Sequence, residues 1–359
     1  MFFHRNVDAI DRLRRLLGSI LVSAAVVSSV QAQSGSSPVG VMSYAVSQNS
    51  TISLGVPLLR PSLMVGVVTG VNGATLTLGA NGAVPSLVSG ESYFVEVVAH
   101  VAGTTSTLLG HRYEVDEAAT VAASAGTLVL EANSPYNTSP AATIPELTGY
   151  RVTVRPHWTL VALLGTGRSA RVNAGAAATA ADQVLAWNGR GFSVYYLREG
   201  DVPQWRNAAT GPLNQDGAIV PPGVGVYLRR RAGNLNFSVA GEVRTNRFVR
   251  PAFAASQLVA NGFPVETSPA DWRLTSGTGL SAGTTPLNSD RLLTWTGSTV
   301  NTYFLSAGAT PQWRSPAASL LDFSNARLFP AQGANFLLLR SATNGNPPPP
   351  LVQAVPFSL

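Results

Sequence analysis

The sequence contains no cysteine and no lysine. Without cysteine no disulfide can hold the chain together, and thiolate metal sites and cysteine nucleophiles are excluded. Charge is scarce. Charged side chains make up 12% of the residues, about half the usual share in soluble domains. All 24 basic residues are arginine, and the formal net charge is +6. A nucleic-acid partner is not expected, because such binders carry a dense basic patch. The only run, Arg229-Arg230-Arg231, reads as the charged end of a strand.

Catalytic signatures are also missing. The sequence has no GxSxG elbow, phosphate-binding loop, HExxH motif or EF-hand loop. Of four histidines, His4 lies near the N-terminus, and His100, His111 and His157 lack ligand-like spacing. No metal or cofactor is therefore expected. Asp116 and Glu117 are adjacent, and on a strand they would point to opposite faces. Asp182 and Asp290 occupy matching places in a repeat and could approach as a glycosidase pair, but they read better as turn caps.

The N-terminal stretch reads as a secretory leader. Arg5, Arg12, Arg14 and Arg15 precede an apolar run from Leu16 to Val30, and Val30-Gln31-Ala32 suits cleavage after Ala32. The run is shorter than the roughly 20 residues of a spanning helix. The leader's four arginines less its two aspartates account for two of the six net charges. The protein is expected to be exported to the periplasm, outer cell surface or extracellular space. No transmembrane helix is expected in the mature chain.

From Pro38 onward the pattern is short strands and turns. Thr51–Leu54 alternates, Val65–Val71 meets the hairpin signal Asn72-Gly73, and Ala74–Leu78 returns. Ala118–Ala125 is read as loop. Pro156, between the alternating Tyr150–Arg155 and an apolar run, suggests a bend or edge. The fold class expected is all-β, as several small sandwich-like or barrel-like domains with an internal duplication. The divisions are a leader (1–32), a flexible new terminus (33–37), a first β-rich part (38–132), a linker or long loop (133–145), two repeat units (146–250 and 251–346) and a proline-rich tail (347–359). Within that tail Leu351–Phe357 could add an edge strand, in the same molecule or a neighbour.

The repeat is the most informative feature. The tetrapeptide Pro-Gln-Trp-Arg occurs at Pro203–Arg206 and again at Pro311–Arg314, 108 residues apart. Asp182, Trp187, Tyr195, Leu197 and Gly200 match Asp290, Trp295, Tyr303, Leu305 and Gly308 at the same offset. Beyond the tetrapeptide the offset is read as one residue longer, with Tyr227-Leu228 against Phe336-Leu337.

The six residues Gln204, Trp205, Arg206, Gln312, Trp313 and Arg314 admit two uses. Each Trp could be a sugar-stacking platform flanked by hydrogen-bonding groups. Each could instead be wedged between sheets with its Arg lying across the ring. The packing reading is favoured, because copying a unit copies its packing. Trp187 and Trp295, inside strand signals, are read as core.

Several features together resemble an uncharacterised family of exported β-rich proteins from Verrucomicrobia and related bacteria. They are Val39-Gly40, Leu58-Leu59-Arg60-Pro61, Gly66-x-Val, Arg155–Leu160, Ala181–Val184, the Pro-Gly turn before Tyr227-Leu228, and Gly241–Thr245. The resemblance implies secretion and a surface role, and supplies no reaction. The expectation is a non-enzymatic structural or interaction protein of the envelope or exterior, partnered by itself, other envelope proteins or glycans. The alternatives are a carbohydrate-binding protein using Trp205 and Trp313, and a secreted glycan-active enzyme.

Overall fold

The computed structural model describes residues 38–359, apart from 80–83, 85, 104–105, 124, 139–143, 189, 252–255, 296–298, 332–334, 342–349 and 358–359. The leader, the flexible terminus and most of the proline run lie outside the described residues. In chain order come β1 (Val39–Val46), β2 (Thr51–Leu54), β3 (Met64–Asn72), β4 (Thr75–Leu78), β5 (Tyr93–His100) and β6 (Arg112–Glu114). Next are helix α1 (Glu117–Ala122), β7 (Thr127–Val129), β8 (Tyr150–Pro156), β9 (Trp158–Thr159) and helix α2 (Leu160–Leu164). Then follow β10 (Gln183–Trp187), β11 (Phe192–Arg198), β12 (Gln204–Asn207), β13 (Ile219–Val220), β14 (Val226–Arg229) and β15 (Leu235–Glu242). The last are β16 (Phe248–Arg250), β17 (Gln257–Ala260), β18 (Arg291–Trp295), β19 (Val300–Ser306), β20 (Gln312–Arg314), β21 (Asn335–Leu339) and β22 (Leu351–Gln353).

The protein is mostly β, in several separate antiparallel sheets. A six-stranded sheet runs β6-β5-β8-β3-β4-β7. Its β3–β4 hairpin closes over Gly73 and Ala74, and Gly73 takes the positive φ of 59° that this tight turn needs. On β4, Leu76 and Leu78 are buried while Thr77 is exposed, the alternation of a half-buried strand. Leu76, Val95, Val97, Tyr113 and Val154 fill the core of this sheet.

Two five-stranded sheets follow, β12-β11-β10-β14-β2 and β17-β21-β18-β19-β20. Their pairings match. Val184 stands between Tyr195 and Leu228, and Leu292 between Tyr303 and Leu338. The register corrects one expectation. Tyr227 lies opposite Leu185 and Leu337 opposite Leu293, so Tyr227 corresponds to Leu337 rather than Phe336. The intervening loop absorbs two extra residues, not one, leaving the strands unbroken.

Long-range pairing changes the sequence grouping of the first strands. β1 pairs with β15, and β2 pairs with β14 at the edge of the first five-stranded sheet. β8 joins β3 and β5, across to the six-stranded sheet. Residues 118–122, read as loop, belong to α1. Asp116 caps the helix by accepting from the Ala119 amide, and Glu117 sits in the first turn, so both acids serve a helix N-terminus. In the segment read as a linker, Asn137 and Thr138 are buried and accept from the amides of Glu114 and Arg112, binding that stretch to β6. At the C-terminus β22 pairs with β16 inside the molecule.

Phe248 on β16 marks the joint between these sheets. It is fully buried, with Arg112 and Arg244 guanidiniums 4.8 and 5.1 Å from its ring centroid. Arg244 pairs with buried Glu96. Burial pushes Arg244 down to about 9, so it stays charged at neutral pH. Arg112 donates to the Pro222 and Val249 carbonyls, fastening β6 to both neighbouring regions. Among the described residues no helix is long and apolar enough to cross a membrane.

Candidate ligand-binding cleft

The repeated tetrapeptides are packing units. Trp205 and Trp313 are 0% and 1% exposed. Their indole N–H groups donate to the carbonyls of Gly165 and Leu274, at 2.9 and 2.8 Å. Neither ring offers a face to a ligand. The expected arginine cover is also absent. Adjacent strand residues point to opposite faces, so Arg206 and Arg314 turn away from the tryptophans. They donate instead to Gln204 and Gln312.

The matched aspartates are structural too. Asp182 is fully buried, ion-paired with Arg230, and accepts from the amides of Asn173 and Arg231. Asp290 repeats the arrangement with Arg340, Ser281 and Ser341. With their oxygens so engaged, they are not free to act as a glycosidase pair. His157 is buried against Glu114 at 2.6 Å. Among the described residues no group of three or more His, Asp or Glu could hold a metal ion.

The open site lies where the two five-stranded sheets meet. Strand alternation sorts the residues. Val184, Leu197, Trp205 and Leu228 enter one core, and Leu292, Leu305, Trp313 and Leu338 the other. The intervening positions face outward, and those of the two sheets come together around a cleft of about 330 Å³. Leu185, Phe192, Tyr227 and Arg229 line it from the first sheet. Leu293, Trp295, Val300 and Leu337 line it from the second.

Three aromatic rings form its floor and rim. Phe192 meets Tyr227 edge-on at 5.6 Å, and Tyr227 meets Trp295 at 6.2 Å. Trp295 is 36% exposed, Phe192 41% and Val300 48%. Burial raises the Tyr227 phenol above its ordinary range, so it remains a neutral hydroxyl. Trp295, read from sequence as core, is therefore corrected to a rim residue. Five of the six tryptophans donate their indole N–H to a protein acceptor. Trp295 has no such partner among the described residues.

The sequence held a signal for this assignment. Trp295 shares strand parity with Arg291, and a core-facing position rarely shares parity with an arginine. Compared with known proteins, the chain matches no protein-family model, no curated protein and no solved structure.

Proposed function

We propose that this is a non-catalytic carbohydrate-binding protein whose binding site is the cleft of Phe192, Tyr227 and Trp295. The observation carrying the reading is Trp295, a partly exposed indole at the rim of an open aromatic cleft, its N–H without a partner among the described residues. Sugar rings have apolar C–H faces edged by hydroxyls. An aromatic face with hydrogen-bonding groups beside it complements that chemistry. Thr51 and Arg229 supply polar groups in the same wall. The reading keeps the carbohydrate-binding idea and moves it from Trp205 and Trp313 to Trp295.

Export is part of the proposal, supported by the Arg-flanked apolar leader and small-residue cleavage pattern. We also take the two five-stranded sheets to be products of one duplication, on the strength of their matched pairings and matched Asp–Arg anchors.

A self-assembling envelope subunit has less support. The sheet edges at β12 and β20 are short and each is preceded by proline, which blunts strand addition. The C-terminal strand is already paired internally. The test is retention on immobilised polysaccharides, comparing the wild type with Trp295→Ala. Retention that the substitution removes is expected. A wild type that retains on no polysaccharide, or a variant that binds unchanged, would overturn the proposal.

A further inference from the structure

The ten strands of the two five-stranded sheets contain no Asp or Glu, yet they contain five arginines. Register places all five on the outward faces. In the first sheet one row across the strands reads Thr51, Arg229, Gln183, Tyr196 and Arg206. The next position along β11 is Arg198, opposite Gln204. The second sheet has Leu339, Arg291, Phe304 and Arg314 in the corresponding row. An outward face is the usual place for arginine in a strand whose other face fills a core; the absence of carboxylates beside them is not. All five on the faces that meet at the cleft, without one carboxylate in the strands, is a charge asymmetry.

Arg229 itself lines the cleft and is exposed. Among the described residues its guanidinium has no hydrogen-bond or ion-pair partner, and the same holds for Arg291. By contrast Arg230, one position on and facing the core, is paired with Asp182. Asp182, just before β10, is taken up by Arg230, and two further acids of the first copy, Glu199 and Asp201, follow β11 at the end away from Phe192. The second copy has Ala307 and Ala309 at those places.

We infer that the cleft takes an acidic saccharide, a glycan whose sugars carry carboxylate or sulfate groups. One ring packs on Trp295 and Tyr227, and its anionic substituent meets Arg229. The inference rests on the carbohydrate-binding reading and names its ligand class. The spacing suits it. Tyr227 and Arg229 are two residues apart on β14, about 6.6 Å along the strand, the reach of a ring and its exocyclic acid. Guanidinium is the cation best shaped to bind a carboxylate or sulfate through paired hydrogen bonds. A single nucleic-acid strand is less well served. It needs cations tracking its backbone between free aromatic faces, whereas here the rings of the cleft pack edge-on against each other.

The experiment is isothermal titration of the purified mature protein with four probes. These are an oligogalacturonate, its fully methyl-esterified and uncharged form, a sulfated oligosaccharide, and a single-stranded oligothymidylate. An acidic sugar should bind at least about tenfold more tightly than the ester. That preference should shrink between 50 and 500 mM salt, to the extent that it is electrostatic. Arg229→Gln, on an exposed strand end, should erase the preference while melting as the wild type does. Arg291→Gln serves as a second variant. Preference for the carboxylated or the sulfated probe alone would support the inference and name the acid. Equal binding of all three sugars, acidic and uncharged, would overturn the inference and leave the carbohydrate reading standing. Binding of no sugar by folded protein would overturn both, as would binding of the oligothymidylate alone.

Discussion

Single tryptophans show how one residue type is divided between structure and recognition. Trp205 and Trp313 fill the two cores and satisfy a loop carbonyl each. Replacing either by alanine should cost about 3–5 kcal/mol of stability, read by denaturant unfolding. Trp295→Ala removes a ring already partly in water, so it should cost about 1 kcal/mol or less while abolishing glycan retention. His111 gives a second prediction. Burial first, then Arg247 and Arg112, push it down to about 4. Its folded value lies below its unfolded value, so the unfolded chain binds more protons between them. The stabilisation is therefore complete above about pH 6.5 and is lost as pH falls toward 4. Thermal melts of His111→Gln should show a flatter slope in that window than the wild type. At this scale the sequence was only partly legible. The duplicated Pro-Gln-Trp-Arg was visible, but burial of its Trp depends on which sheet face meets the core. Trp295 shares strand parity with Arg291, which marks an outward face, but that this face and Leu293 line a cleft depends on the other sheet, which no local pattern announces.

Elements are held by anchors that recur in both five-stranded sheets. Asp182 and Asp290 each gather a backbone amide from a preceding loop and one from the chain just beyond the matching strand. Breaking a buried pair leaves its partner charge uncompensated, so Arg230→Met should cost about 3–5 kcal/mol. Removing both partners, as Asp182→Asn with Arg230→Met, should cost less than the sum of the single changes; a double-mutant unfolding cycle measures that coupling. The glycine at 262 tests the joint. A Cβ there would lie 2.2 Å from the fully buried Phe248 ring. Gly262→Ala should therefore lower the melting temperature, read by thermal unfolding. Short strands were well marked by alternation and by Asn72-Gly73. Helix α1 was missed because the Thr, Val and Ser content of Ala118–Ala125 reads weakly, whereas the Asp116 cap supplies the start.

Across the whole molecule, the order of pairing was the least legible feature. Residues 39–54 read as the start of an N-terminal sheet, yet they complete sheets built from residues 183–242. Alternation reports which face of a strand is buried and is silent on its neighbour. Pro38–Leu359 form one compact unit. Removing residues 38–54 should therefore uncover β14 as well as β15, and amide exchange at Val226–Arg229 should rise by orders of magnitude. The central claim is that recognition occurs at Trp295 in the cleft, with the repeated tryptophans serving the cores. Indole N–H resonances of the six tryptophans, assigned by single substitution and followed while an acidic oligosaccharide is added, test it most directly. The account predicts a saturable shift at Trp295, with Trp205, Trp272 and Trp313 unmoved. A shift at Trp205 or Trp313 with Trp295 silent would contradict it.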